Sequence, residues 1–134
     1  MHPDRVRGSM LGHAKLVAFA PTSDAKKCRA FYEGTLGLRF VQDDGFALVF
    51  DANGTTLRIA EGSPGSVKPA PYTILGWHVD DIEGTVAQLA KAGVAFEKYG
   101  FPGQDAAGIW TSPSGARVAW FKDPDGNVLS VSTG

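Results

Sequence analysis

The chain has 134 residues with 13 basic and 14 acidic side chains, a formal net charge of −1. It is long enough for one hydrophobic core and too balanced in charge for a generally basic nucleic-acid binder. Apolar residues at 43%, charged residues at 20% and a single cysteine exclude a disordered chain and a disulfide framework.

Residues 1–9 are polar and patternless and read as an extension outside the fold, leaving 10–134 as one domain. Ala14–Ala20 reads as a strand broken by Pro21. Ser23 or Asp24 can cap a helix with apolar residues at Ala25, Cys28, Tyr32 and Leu36, stopped by Gly37. Leu38–Gln42, Phe46–Asp51 and Thr55–Ala60 read as three strands, the last two joined by the hairpin signal Asn53-Gly54. After a Gly/Ser/Pro-rich connector at 61–71 the pattern restarts. Tyr72–Val79 is a strand, and Asp80 or Asp81 caps a helix carrying Ile82, Val86 and Leu89, stopped by Gly93. Val94–Lys98, Ile109–Ser112, Arg117–Lys122 and Val128–Ser132 are further expected strands.

The two halves align. Asp24 falls on Asp81, Leu36-Gly37-Leu38 on Ala92-Gly93-Val94, and Gly54 on Gly126, with an insertion around Phe101–Gly108 in the second half. The expected fold class is therefore α+β, two tandem βαβββ units of about 12–60 and 71–133. One unit alone would expose an apolar sheet face, so the two should pack together. Apolar runs reach only about half a dozen residues, far short of the roughly 20 a membrane helix needs. No secretory leader is apparent, so a cytoplasmic location is expected.

Three motifs appear in order. Phe31-Tyr32-Glu33-Gly34-Thr35-Leu36-Gly37-Leu38, Gly76-Trp77-His78-Val79-Asp80-Asp81-Ile82 and Phe121-Lys122-Asp123-Pro124-Asp125-Gly126-Asn127 resemble the glyoxalase/bleomycin-resistance/dioxygenase family, the vicinal oxygen chelate superfamily. The resemblance spans roughly residues 12 to 133. It implies curled mixed sheets around a cleft, a small-molecule ligand and a homodimer. It leaves function open, because that superfamily holds isomerases, lyases, epimerases, dioxygenases and metal-free binders.

The resemblance also places the metal ligands of active members at Val17, Arg58, Ile74 and Ser130 of this chain. Valine and isoleucine have no lone pair, arginine is a permanent cation, and a neutral serine is a poor ligand. No cofactor is therefore expected. A divalent metal on an atypical set (His13, His78 and an acid such as Glu61) is the alternative. Strand alternation puts Leu57, Ile59, Leu75, Trp77 and Val79 in the core. It turns Thr56, Arg58, Ala60, Ile74, Gly76, His78, Val128, Ser130, Ser132, Lys15, Val17 and Phe19 toward the cleft.

Candidate ligand-binding residues are Arg58, His78, Ser130, Phe19, Trp110 and Gln104, with His78 also the candidate general base. Each has a plainer reading. His78 can be an exposed strand-end histidine, Arg58 can pair with an internal acid, and Ser130 can fill a strand. Cys28 reads as an inert core residue. Trp120 and Phe121 must face opposite ways, so one should reach the cleft or a partner. The loop 101–105, with Trp110, either covers the pocket or is a surface excursion. Lys15 and Arg58 favour an anionic or neutral ligand. Asp123-x-Asp125-Gly126-Asn127 lacks the glycine placement and closing glutamate of a calcium loop.

Two function classes remain. One is a metal-free protein that binds an apolar or aromatic small molecule. The other is a glyoxalase-like lyase, isomerase or dioxygenase using an atypical metal site or His78/Arg58 acid–base chemistry.

Overall fold

A computed structural model describes residues 10–134; the extension expected at 1–9 lies outside the described residues. Strand β1 (Val17–Thr22) leads into α1 (Ala25–Arg29), which continues as a π-helical turn over Ala30–Thr35. Then come β2 (Arg39–Asp43), β3 (Ala47–Ala52), β4 (Thr55–Glu61), β5 (Thr73–His78), α2 (Ile82–Lys91), β6 (Trp110–Thr111), β7 (Arg117–Lys122) and β8 (Val128–Thr133). The sheets have the same plan, β1-β4-β3-β2 and β5-β8-β7-β6, with β1∥β4 and β5∥β8 parallel and the other pairs antiparallel. The duplication seen in the sequence is thus a duplication of topology.

Local chemistry explains most boundaries. The Asp24 and Asp81 carboxylates accept the backbone N–H of Lys27 and Gly84, capping the two helices. At the end of α2 the Gly93 N–H donates to Ala90 and the Val94 N–H to Leu89, the paired bonds that close a helix through a left-handed residue. Asn53 and Gly54 both have positive φ, 51° and 94°, which the tight β3–β4 turn requires and these two residues tolerate.

Four expectations are corrected. The first strand starts at Val17 and runs through Pro21. Because β1 is an edge strand, the missing N–H costs no ladder bond there. The first helix is not uniform. Gly34 and Thr35 are weak helix formers, and the last turn widens so that Leu36 N–H reaches the Phe31 carbonyl. Residues 94–98 form no strand: the Glu97 N–H donates to the Trp120 carbonyl of β7, while the Glu97 carbonyl accepts from the Gln104 side-chain amide. The strand expected at Ile109–Ser112 shrinks to the two residues of β6.

One apolar cluster joins both units. Leu48, Phe50, Leu57 and Ile59 from the first sheet meet Ala119, Phe121, Leu129 and Val131 from the second, with Cys28, Tyr32, Ile82 and Val86 from the helices. The Tyr32 ring lies 5.8 Å from Phe50, and Phe31 lies 6.4 Å from Phe121, so the first helix touches both sheets. Each such aromatic contributes roughly 1.5–3 kcal/mol by burial.

Cys28 is buried here, and burial foremost pushes its thiol up to about 12. The thiolate is the reactive form. Thiol–disulfide reagents at neutral pH should therefore label Cys28 only as the protein unfolds. Labelling at the rate of a free thiol in native buffer would overturn this burial.

Candidate functional site

Strand register defines two faces turned away from the shared core. On the first sheet Phe19 and Val49 flank Arg58 from opposite sides, and Val17 pairs with Thr56. Val17 and Phe19 stay 41% and 63% exposed. On the second sheet Ser130 sits between Gly76 and Trp120, and Ser132 between His78 and Val118. A Cβ at Gly76 would stand 2.8 Å from the Ser130 hydroxyl, so glycine there is what admits that hydroxyl to the face.

Arg58 donates to the Asp44 carboxylate at 2.7 Å. That hydrogen bond, with the backbone N–H groups of Phe46 and Ala47, holds Asp44 at about 2. The plainer reading of Arg58 is therefore the observed one. Its charge is met inside the chain by Asp44, which weakens its pull on an anionic ligand. Nearby, the Asp43 carboxyl raises the pKa of Glu61, and one buried Glu61 oxygen has no partner among the described residues.

His78 ends β5 and is exposed, and its neighbour Val79 donates its N–H to the Ser132 carbonyl. Gln104 is fully engaged. Its oxygen accepts from the Tyr99 and Gly100 N–H groups, and its nitrogen donates to the Glu97 and Gly108 carbonyls. The amide pins the inserted loop. Trp110 donates its indole N–H to the Pro102 carbonyl and lies 6.0 Å from both Phe101 and Trp120. Phe121 is fully buried and Trp120 faces the other way, as alternation required. What sequence reasoning missed is the company Trp120 keeps, Tyr72, Tyr99 and Phe101. The only available signal was the density of aromatics around the inserted loop.

The third motif has a structural task. Asp123 accepts from the buried Tyr32 hydroxyl at 2.7 Å, from the backbone N–H of Asp125 and Asn127, and from the Asn127 side chain. Asp125 accepts from the Thr22 and Ser23 hydroxyls and the Ser23 N–H, while the Asn127 amide also donates to the Pro21 carbonyl. Burial pushes Asp125 up, but these bonds more than offset it and its pKa lies below the usual carboxylate value. The β7–β8 turn of the second unit is thereby fastened to the β1–α1 corner of the first.

A divalent metal does not fit these residues. The four positions that the family resemblance assigns to metal ligands carry two aliphatic side chains, one ion-paired guanidinium and one neutral hydroxyl. Ile74 sits at the irregularity between Thr73 and Leu75 and packs against the core. Among the described residues no three His, Cys, Asp or Glu side chains come together as a metal cluster, so His13, His78 and Glu61 do not assemble into one within the chain.

The fold, the two motif-bearing helices and the DPDGN turn define a duplicated βαβββ protein, and residues 11–131 match the Glyoxalase/Bleomycin resistance protein/Dioxygenase superfamily. The chain belongs to that superfamily. It is similar in structure to a lactoylglutathione lyase from Agrobacterium tumefaciens, with 18% identity, TM-score 0.68, and coverage of 91% of this chain and 94% of that one. It is also similar to a genomically encoded fosfomycin resistance protein from Listeria monocytogenes, with 15% identity, TM-score 0.69, and coverage of 89% and 91%. A glyoxalase/bleomycin resistance protein/dioxygenase from Alicyclobacillus acidocaldarius is a third, at 14% identity and TM-score 0.64, covering 90% and 91%. No curated protein sequence matches the chain. At these identities the likeness is one of fold. No helix among the described residues is long and apolar enough to cross a membrane.

Proposed function

We propose that this chain is a metal-free small-molecule binding protein of the superfamily, acting as a cytoplasmic homodimer. The observation that carries this reading is the chemistry of the four ligand positions: Val17, Arg58, Ile74 and Ser130 offer no charged or imidazole donor, and the one strong polar group is already paired with Asp44. What remains on the two faces is apolar and aromatic surface with a few hydroxyls, the composition of a ligand pocket.

The dimer is supported by where that surface lies. The core faces of both sheets meet in one cluster, so the opposite faces point outward from it. Val17 and Phe19 leave apolar surface exposed there, and among the described residues β1 and β5 are edge strands of their sheets. A second copy can lay its Ser130 face over the first copy's Arg58 face, enclosing a cleft twice by symmetry. The ligand is apolar or aromatic, and the Arg58–Asp44 pair favours a neutral one over an anion.

Elemental analysis after dialysis should find only substoichiometric Ni, Zn, Fe and Mn. Stoichiometric metal would replace this reading with the lyase, isomerase or dioxygenase one. Light scattering should give twice the 14.2 kDa chain mass, and a monomer at working concentration would remove the shared cleft. For a ligand found by screening, Arg58→Ala and His78→Ala should both weaken binding; unchanged affinity in both places the pocket elsewhere.

A further inference from the structure

Beside Trp120 the second unit builds a pocket that the duplicated scaffold does not account for. Its walls are Tyr72 and Thr73 from the connector end, Tyr99 and Phe101 from the inserted loop, and Trp120 and Val128 from β7 and β8; its volume is about 350 Å³. That lies at the small end of the roughly 300–1,000 Å³ range of small-molecule sites. The rings are already arranged. Tyr99 stands 5.4 Å from Trp120 and 5.3 Å from Phe101, Phe101 stands 6.0 Å from Trp120, and Trp110 backs Trp120. Yet Tyr72, Tyr99 and Phe101 keep 67%, 43% and 45% of their surface in water. Exposed aromatics held in a fixed array indicate a surface kept for a ligand.

The array is held from behind. The Gln104 amide bonds four backbone groups at 97, 99, 100 and 108, and the Trp110 indole bonds Pro102. A loop fixed before binding loses less entropy when a ligand arrives. The lining also indicates the ligand's charge. Among the described residues no ionised side chain lines the pocket, whose hydrogen-bonding side chains are the hydroxyls of Tyr72, Thr73 and Tyr99. Lys122, the next residue on the same face of β7, stands 3.8 Å from Glu97. Its ammonium disfavours a cation, and Glu97 offsets it for an anion.

We infer that Tyr72, Tyr99, Phe101 and Trp120 form a binding site for a neutral planar aromatic compound of one or two rings bearing a hydrogen-bonding substituent. This rests on the reading that the chain binds a small molecule and locates where the ring sits. Trp120 and Phe101 stack on it, a tyrosine or threonine hydroxyl takes the substituent, and Gln104 is a positioning residue.

The test uses three probes that share one ring system, neutral indole, cationic tryptamine and anionic indole-3-carboxylate, titrated into the ¹⁵N-labelled full chain and followed by amide and indole N–H shifts. Indole is expected to shift Trp110, Trp120, Thr73 and Gly100, and to bind at least about 10-fold tighter than either charged probe. Phe101→Ala and Trp120→Ala should each weaken indole about 10-fold. Tyr72→Ala, at an exposed residue outside any strand, serves if Trp120→Ala does not fold. Equal affinity for all three probes, or no binding of any of them to the protein in the oligomeric state it adopts, would each overturn the site. Shifts centred on Arg58 and His78 alone would also overturn it while sparing the wider small-molecule reading. Stoichiometric metal with indole still bound here would do the reverse.

Discussion

Asp123→Ala is expected to cost about 3–5 kcal/mol of stability, although the residue touches no ligand. Its carboxylate serves four donors at once: the Tyr32 hydroxyl, the N–H groups of Asp125 and Asn127, and the Asn127 amide. Alanine leaves the Tyr32 hydroxyl buried with nothing to bond, and each such orphan costs about 1–3 kcal/mol. The β7–β8 turn also loses the acceptor that shapes it. Tyr32→Phe removes one donor and leaves Asp123 with three partners, so it should cost only about 1–2 kcal/mol. Urea unfolding of both variants and of the double mutant measures this. The double should cost less than the two singles added, because with phenylalanine present there is no stranded hydroxyl. A loss under about 1 kcal/mol for Asp123→Ala would show that the turn stands without its carboxylate.

Adjacent residues on β7 should behave in opposite ways. Phe121→Ala is expected to destabilise the protein by about 3–5 kcal/mol. Its ring is fully buried, lies 5.5 Å from Phe96 and 6.4 Å from Phe31, and borders a hollow of about 170 Å³ between α2, the second sheet and Leu36. A ring that joins the first helix to the second sheet leaves a cavity that neither unit can close alone. Trp120→Ala removes a half-buried side chain from the other face and should cost about 1–2 kcal/mol, while abolishing most of the aromatic-ligand affinity. Thermal melts and probe titration on the same two variants test the contrast. Equal destabilisation by both would mean that Trp120 belongs to the core and that its face is not kept for a ligand.

Both predictions depend on contacts whose partners are far apart in the chain, and here sequence reasoning had its limit. Asp24 and Asp81 were readable as caps because a cap bonds a residue three positions on. Asn53-Gly54 was readable as a turn because its φ values are a local matter. Alternation assigned Trp120 and Phe121 to opposite faces, and Leu57 and Ile59 to the core. The same logic failed for residues 94–98, an apolar run that makes one backbone bond to β7 and gives a carbonyl to the Gln104 side chain. It also failed at Pro21, where an edge position removed the penalty that would have ended the strand.

For the site, sequence parity placed Arg58, His78, Ser130 and Phe19 on outward faces but was silent on their partners. Asp44 reaches Arg58 because of how the β2–β3 turn folds back, and no spacing rule announces that. Gln104 and Trp110 were singled out as candidate ligand contacts; their hydrogen bonds hold the loop that presents Tyr99 and Phe101.

By itself the sequence determined the duplication, the two caps, the hairpin turn and, apart from Ile74 at the β5 irregularity, the faces of the central strands. All of these follow from interactions within a few residues or from side-chain chemistry alone. Only the tertiary structure decided that Asp123 and Asp125 bind the units together across more than 90 residues, that Arg58 is paired, and that four aromatics meet beside β7. Those depend on the path of irregular loops through space, which carries no periodicity from which it could be read.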